Sequence, residues 1–145
     1  MARKQQFLLE AAWVWLALAA FAVVNGTFRR SVLDWMVDRD AARLLSTTTL
    51  AGAVALAALL WVGTRSTPLR PKELLLVGFL WAGATALFDL ILGRFGADRS
   101  WSELLADYDP ARGGFFGLVL VTELISPLLV GLLRRAGPPL HQRAH

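Results

Sequence analysis

Apolar residues in this chain gather into four long runs, Phe7–Val24, Leu44–Val62, Leu74–Leu92 and Phe115–Leu133, separated by polar stretches. Each run is close to the ~20 residues that a helix needs to cross the hydrocarbon of a bilayer. Charge is nearly absent inside them, the exceptions being Glu10, Asp89 and Glu123. The pattern predicts an all-α polytopic membrane protein of one domain, its four transmembrane helices arranged as two hairpins. A basic start ahead of an apolar run also fits a cleaved signal peptide, with Ala17–Ala20 as small residues for cleavage. The length of that run and the three that follow favour a retained first span.

The polar stretches carry patterns of their own. In Arg99–Arg112, Trp101, Leu104, Leu105 and Tyr108 fall at i, i+3, i+4 and i+7, one face of a short helix that Ser100 and Glu103 would start as a capping box. Arg30–Arg43 echoes this stretch at a constant shift of 69 residues. Arg30/Arg99, Ser31/Ser100, Asp38/Asp107, Asp40/Asp109, Ala42/Ala111 and Arg43/Arg112 are identical pairs. The same shift lays the first run on the third and the second on the fourth, as an internal repeat would; chance and shared capping chemistry are the competing account. The expectation is a duplicated hairpin with a short interfacial helix in each outer loop, at about residues 31–39 and 100–108, its apolar face at the acyl boundary. Asn25-Gly26 is expected to end the first helix. Gly63–Glu73, with Pro68 and Pro71, should be a basic turn, and Ser126-Pro127 should kink the last span. The tail Arg134–His145 is expected to be poorly ordered.

Composition sharpens the class. The chain is 56% hydrophobic, with a mean hydropathy of +0.51, more apolar surface than a soluble domain of 145 residues could bury. The absence of cysteine excludes disulfides, thiolate metal sites and Cys nucleophiles. The pI of 10.6 would suit nucleic acid, but no such motif is present. In a polytopic membrane protein excess Lys and Arg records topology and contact with anionic membrane lipid. Basic residues divide almost evenly between the two ends of the spans, while the acids crowd into the two long loops. Both termini and the short basic link are therefore expected in the cytoplasm, with the protein multi-pass in a bacterial inner (plasma) membrane.

Candidate chemistry comes from polar groups at membrane depth. Gly78, Ala82, Thr85, Ala86, Asp89 and Gly93 share one face of the third run, and Thr48, Gly52 and Ala55 offer a matching small-residue stripe on the second. Asp89 sits near the outer end of its run; Glu123 lies eight residues past Phe115, roughly 12 Å deeper at the helical rise. A charged carboxylate in hydrocarbon costs several kcal/mol, so each must be paired, protonated or wet. Arg29, Arg30 and Arg94 are the expected partners, with Asn25, Thr47 and Thr48 as hydrogen-bonding neighbours. Two readings follow: an outward-facing polar pocket binding or passing a small solute, cation or proton, or interhelical glue. Glu10 should snorkel toward Arg3 or Lys4.

The acidic pairs Asp38/Asp40 and Asp107/Asp109 lack the glycine and further ligands of a calcium loop. They read as helix-end carboxylates beside Arg39, Arg43 or Arg112. His141 and His145 lie in the tail, and no catalytic triad, zinc motif, phosphate-cradling loop or dinucleotide fingerprint exists. No metal, cofactor or catalytic residue is assigned, and an intramembrane enzyme is the least expected class. Trp35, Trp101 and Tyr108 are candidates for interfacial docking, either in a homo-oligomer or as a subunit of a larger membrane complex.

The chain carries Asn25-Gly26-x-x-Arg29, then Phe88, Gly93-Arg94-Phe95-Gly96 and the string Ser100-Trp101-Ser102-Glu103-Leu104-Leu105-Ala106-Asp107-Tyr108, and the similarity they point to extends over nearly the whole chain. Together they resemble a family of small bacterial four-helix integral membrane proteins to which no activity is assigned. The resemblance implies fold and location and no mechanism. Asp109-Pro110 and Gly113-Gly114 depart from the Asn and Gly-Arg expected nearby.

Overall fold

In a bilayer the backbone has no water to bond with, so a spanning segment must satisfy its own N–H and C=O groups, and a helix does this. The computed structural model describes residues 3–137, and no strand occurs among them. Four long helices carry the fold: α1 (Arg3–Phe28), α3 (Arg39–Gly63), α4 (Pro71–Ile91) and α6 (Phe116–Ala136). All four are long and apolar enough to cross a membrane. Large apolar side chains such as Trp13, Phe79, Leu87 and Leu133 lie exposed on their outer faces, as expected where the surrounding solvent is lipid. The short α2 (Asp34–Met36) and α5 (Trp101–Ala106) lie between the long helices.

Packing runs in a ring: α1 against α3, α3 against α6, α6 against α4, and more sparsely α4 against α1. The α4–α6 contact is close because Gly78 has no Cβ; one added there would overlap the Leu124 carbonyl. Helix α3 buries Ala42, Ser46, Leu50, Val54, Ala58 and Val62, a row at every fourth residue, the ridge spacing by which helices interlock. Trp81, Leu74, Val77 and Val119 are buried in the core, and the Trp81 indole N–H donates to the Ala11 carbonyl at 2.9 Å.

One end of the bundle holds the link between α3 and α4. Here Glu10 pairs with Arg65, and Arg65 also lies over the Trp61 ring, 5.1 Å from its centroid. Arg134 donates to the Val62 carbonyl at 3.1 Å and Arg135 to the Leu69 carbonyl at 2.6 Å. The Glu73 carboxylate accepts from the Arg70 backbone N–H at 2.6 Å, starting α4 with Pro71 in its first turn. We call this the link end; the opposite one is the loop end.

Several expectations change. Glu10 is held by Arg65; the side chains of Arg3 and Lys4, its expected partners, lie outside the described residues. Arg134 and Arg135 belong to α6, because their guanidinium groups satisfy backbone carbonyls of the link. The rest of the expected disordered tail, 138–145 with both histidines, lies outside the described residues. Asn25-Gly26 does not stop α1, which runs on through a π-helical turn, Arg29–Leu33, into α2. Glycine's helix cost of about 1 kcal/mol is smaller than that of exposing backbone groups to lipid.

The stretch expected as the first interfacial helix, 31–39, is therefore no separate element. Its helix breaks at Val37, extended at φ −137°, and Asp38 caps α3 by accepting from the backbone N–H groups of Asp40 and Ala41. The second stretch does form its own helix, α5, with the Ser100–Glu103 capping box in place. The echoing sequences thus fold differently. Where α3 has Ala41, Leu44 and Leu45, the shifted positions hold Pro110, Gly113 and Gly114. Gly113 takes φ +73°, and a Cβ on Gly114 would overlap the Ala106 carbonyl. A single 3-10 turn, Pro110–Arg112, forms there and ends at Gly113, so the long helix begins only at Phe116.

Candidate functional site

Thr48, Gly52 and Ala55 face outward rather than into the bundle, so the polar groups meet on other faces. They meet in a cavity of about 370 Å³ that opens at the loop end and is lined by all four long helices. Its floor is Glu123, 2% exposed. The Glu123 Oε1 accepts from the Thr85 hydroxyl at 2.7 Å, and that hydroxyl accepts from the Trp15 indole N–H at 2.9 Å. An indole can only donate and a hydroxyl has one proton, so the direction Trp15 to Thr85 to Glu123 is forced. The other carboxyl oxygen, Oε2, is buried with no hydrogen-bond partner. Among the described residues no cation lies within ion-pair distance of it. Pro127, four residues on in α6, has no N–H for the Glu123 carbonyl, so the backbone of this turn also lacks its regular bond.

The wall above is polar on the α4 side. Asp89 stands four residues, ~6 Å, beyond Thr85 on the same face, and its Oδ2 accepts from the Tyr108 hydroxyl at 2.9 Å. Tyr108 sits edge-on to Phe116, with ring centroids 5.3 Å apart. Burial, reinforced by the neighbouring Asp89 carboxyl, pushes the Tyr108 phenol above its usual range. Arg99 and Asp107 pair at 2.6 Å, and that hydrogen bond holds the Arg99 guanidinium above its ordinary value. Across the cavity, Asn25 donates to both the Ser46 carbonyl and its hydroxyl at 2.9 Å, clasping α1 to α3. Arg29, Arg30 and Arg43 line the mouth.

Of the residues expected to form a site, Asn25, Arg29, Asp89 and Glu123 converge on this cavity. Arg94 does not: it pairs with Asp98 at 3.2 Å, one turn along its own backbone. Thr48 points away, and its neighbour Thr47, rotated by one residue, lines the cavity in its place. The Tyr108 hydroxyl turns inward to Asp89. Trp35 and Trp101 remain exposed. Sequence reasoning passed over Arg43, Ser46 and Trp15. Trp15 had a usable signal, because an indole N–H at membrane depth needs an acceptor. Arg43 and Ser46 had none beyond their polarity near a helix end.

No group of three or more metal-capable side chains occurs among the described residues. What the cavity offers is a carboxyl oxygen at its floor, a second carboxyl on its wall, apolar sides and guanidinium groups at its mouth. That arrangement can hydrogen-bond and orient a small polar molecule or ion. Comparison with family profiles, curated proteins and solved structures returned no match.

Proposed function

We propose that this protein is a small multi-pass membrane protein that binds, or passes, a small solute or ion through the cavity at its loop end. The observation that carries the reading is Glu123: a carboxyl with one oxygen committed to Thr85 and the other buried, unpartnered, at the floor of an open cavity. A side chain kept only as glue between helices would have both oxygens occupied, since an unmet polar atom in hydrocarbon is costly. Asp89 and Asn25 then serve as wall groups along the path. In this reading the spans form two hairpins, with α5 at the interface. The loop end faces outward and both termini face the cytoplasm of a bacterial inner membrane. The acid-rich loops and the basic link support that orientation, and the resemblance noted above supports the location.

The test uses the full chain in proteoliposomes holding a trapped pH-reporting dye, challenged with proton, Na⁺ and K⁺ gradients. Alongside it, dicyclohexylcarbodiimide, which modifies carboxyl groups in apolar surroundings, is read by the mass of its adduct. The expected result is an adduct at Glu123 and a flux above that of empty vesicles, both abolished in Glu123→Gln. Wild-type flux equal to that of empty vesicles, together with no adduct, would overturn the reading.

A second reading, an accessory subunit of a membrane complex or a homo-oligomer, is favoured by the exposed aromatic and thioether side chains of Trp35, Met36 and Phe95 near the loop end. Gentle-detergent purification would then yield a stoichiometric partner or a defined oligomer, released by Trp35→Ala. A monomer with no partner would count against it.

A further inference from the structure

The mouth of the cavity gathers three arginines, none of them in an ion pair among the described residues. Arg29 lies in the π-helical turn that extends α1, Arg30 follows it, and Arg43 sits on α3. The Asn25–Ser46 clasp fixes their relative height. Arg29 lies four residues beyond Asn25 and Arg43 three before Ser46, so both stand about one helical turn, ~5 Å, above the same hydrogen bond. Arg29 accordingly feels the charges of Arg30 and Arg43 as well as those of Asp34 and Asp107. Of these two acids, Asp107 is already bonded to Arg99, and Asp34 makes no ion pair among the described residues. None of the three arginines has a carboxylate within ion-pair distance, again among the described residues. Like charges held together in a partly enclosed space repel unless an anion joins them. A planar guanidinium fork matches the oxygens of a phosphate better than any other side chain does.

The interior of the cavity limits what that anion can be attached to. Trp15 meets Phe88 edge-on, with ring centroids 6.1 Å apart. Leu18, Ala22 and Leu92 line the space between α1 and α4. The cavity thus has unpaired arginines at its mouth, an apolar side between α1 and α4 beside the polar wall of Asp89 and Asp107, and ends on the free Glu123 oxygen.

Resting on the reading of this cavity as a solute site, we propose that its mouth binds a phosphate-type anion through Arg29, Arg30 and Arg43. A free phosphate or phosphate ester and the headgroup of an anionic phospholipid share this chemistry. In either case the anion bridges the guanidinium groups, and the attached group points into the apolar wedge.

Two measurements on the full chain separate the sources. In detergent, binding of radiolabelled orthophosphate is followed by scintillation proximity. In phosphatidylcholine vesicles containing a small fraction of spin-labelled phosphatidylglycerol, immobilised lipid is counted by electron paramagnetic resonance. Wild type is compared with Arg29→Gln/Arg43→Gln and with Arg39→Gln, an exposed arginine at the same end outside the cavity. Orthophosphate binding that weakens by about tenfold or more in the double variant and is unchanged in the control supports the site with a free anion as ligand. Immobilised phosphatidylglycerol lost only in the double variant supports it with lipid as ligand. Equal signals for all three proteins in both assays overturn it. Should the double variant fail to fold by circular dichroism, Arg30→Gln, at an exposed position, carries the same comparison. Carbodiimide modification of Glu123 reads the floor separately, so a lost adduct would sink the cavity reading, whereas a retained adduct with equal binding signals removes only the anion.

Discussion

The hydroxyl of Thr85 stands between Trp15 and Glu123, 2.9 Å from the indole nitrogen it accepts from and 2.7 Å from the carboxyl oxygen it donates to. One side chain on α4 thereby ties α1 to α6 across the bundle and determines which Glu123 oxygen stays free.

Replacing Thr85 with valine keeps the shape and removes both bonds, leaving an indole N–H and a second carboxyl oxygen unmet. A loss of about 1–2 kcal/mol is expected, with Thr85→Ser close to wild type. Reversible unfolding in mixed micelles measures it. Equal stability of the valine and serine variants would show that the relay contributes nothing.

Gly78 and Gly52 make a matched pair for the packing of the bundle. A Cβ at Gly78 would overlap the Leu124 backbone, whereas one at Gly52 meets nothing within 4 Å. Gly78→Ala should cost about 1–3 kcal/mol by forcing α4 from α6, and Gly52→Ala should be neutral. Thermal inactivation of the two variants side by side checks this.

Tyr108 is the only tyrosine in the chain, so phenolate absorbance reports it alone. Its phenol is raised in the fold by burial and by Asp89, while the unfolded chain ionises it near the ordinary value of about 10. The folded state therefore keeps a proton that the unfolded state loses, and this contribution to stability is complete below that pH and declines above it. The folded protein should show no phenolate absorbance at pH 10, and Tyr108→Phe should flatten the alkaline fall in stability. Titration at an ordinary value in the folded protein would refute the contact.

At the exposed capping box of α5 the sign reverses. Hydrogen bonds from Ser100, its backbone first, hold the Glu103 carboxyl below its usual range. Its support for the helix is present above the unfolded pKa of about 4.3 and is lost as pH falls through the lower folded value. Protection of residues 101–106 from hydrogen exchange, relative to the intrinsic rate at each pH, should fall at acid pH in wild type. In Ser100→Ala it should already be low at neutral pH.

Arg134 closes the end of α3 by donating to the Val62 and Arg65 carbonyls. Arg134→Ala should speed hydrogen exchange across residues 62–70 and lower stability by about 1–2 kcal/mol, through lost bonds to a charged donor. Unchanged exchange in that link would argue against the clamp.

Much of this architecture was legible along the chain. Four apolar runs of spanning length dictate four helices, because within lipid no other open structure satisfies the backbone. The capping box at Ser100 and the oddness of a carboxyl at Glu123 were local signals of the same kind. What the sequence alone could not decide is which polar residues face one another. Thr47 and Thr48 differ by a 100° rotation, and which one lines the cavity depends on the i+4 ridge of α3 seating against α6. Arg94 had Asp89 as a plausible mate, yet its carboxylate neighbour at Asp98 lies one turn along its own backbone. Arg43 joins Arg29 because Asn25 reaches Ser46, a contact between residues that no periodicity links. Helix formation follows from local composition, whereas the rotation and height of each helix follow from how four surfaces pack together, and the site exists only in that packing.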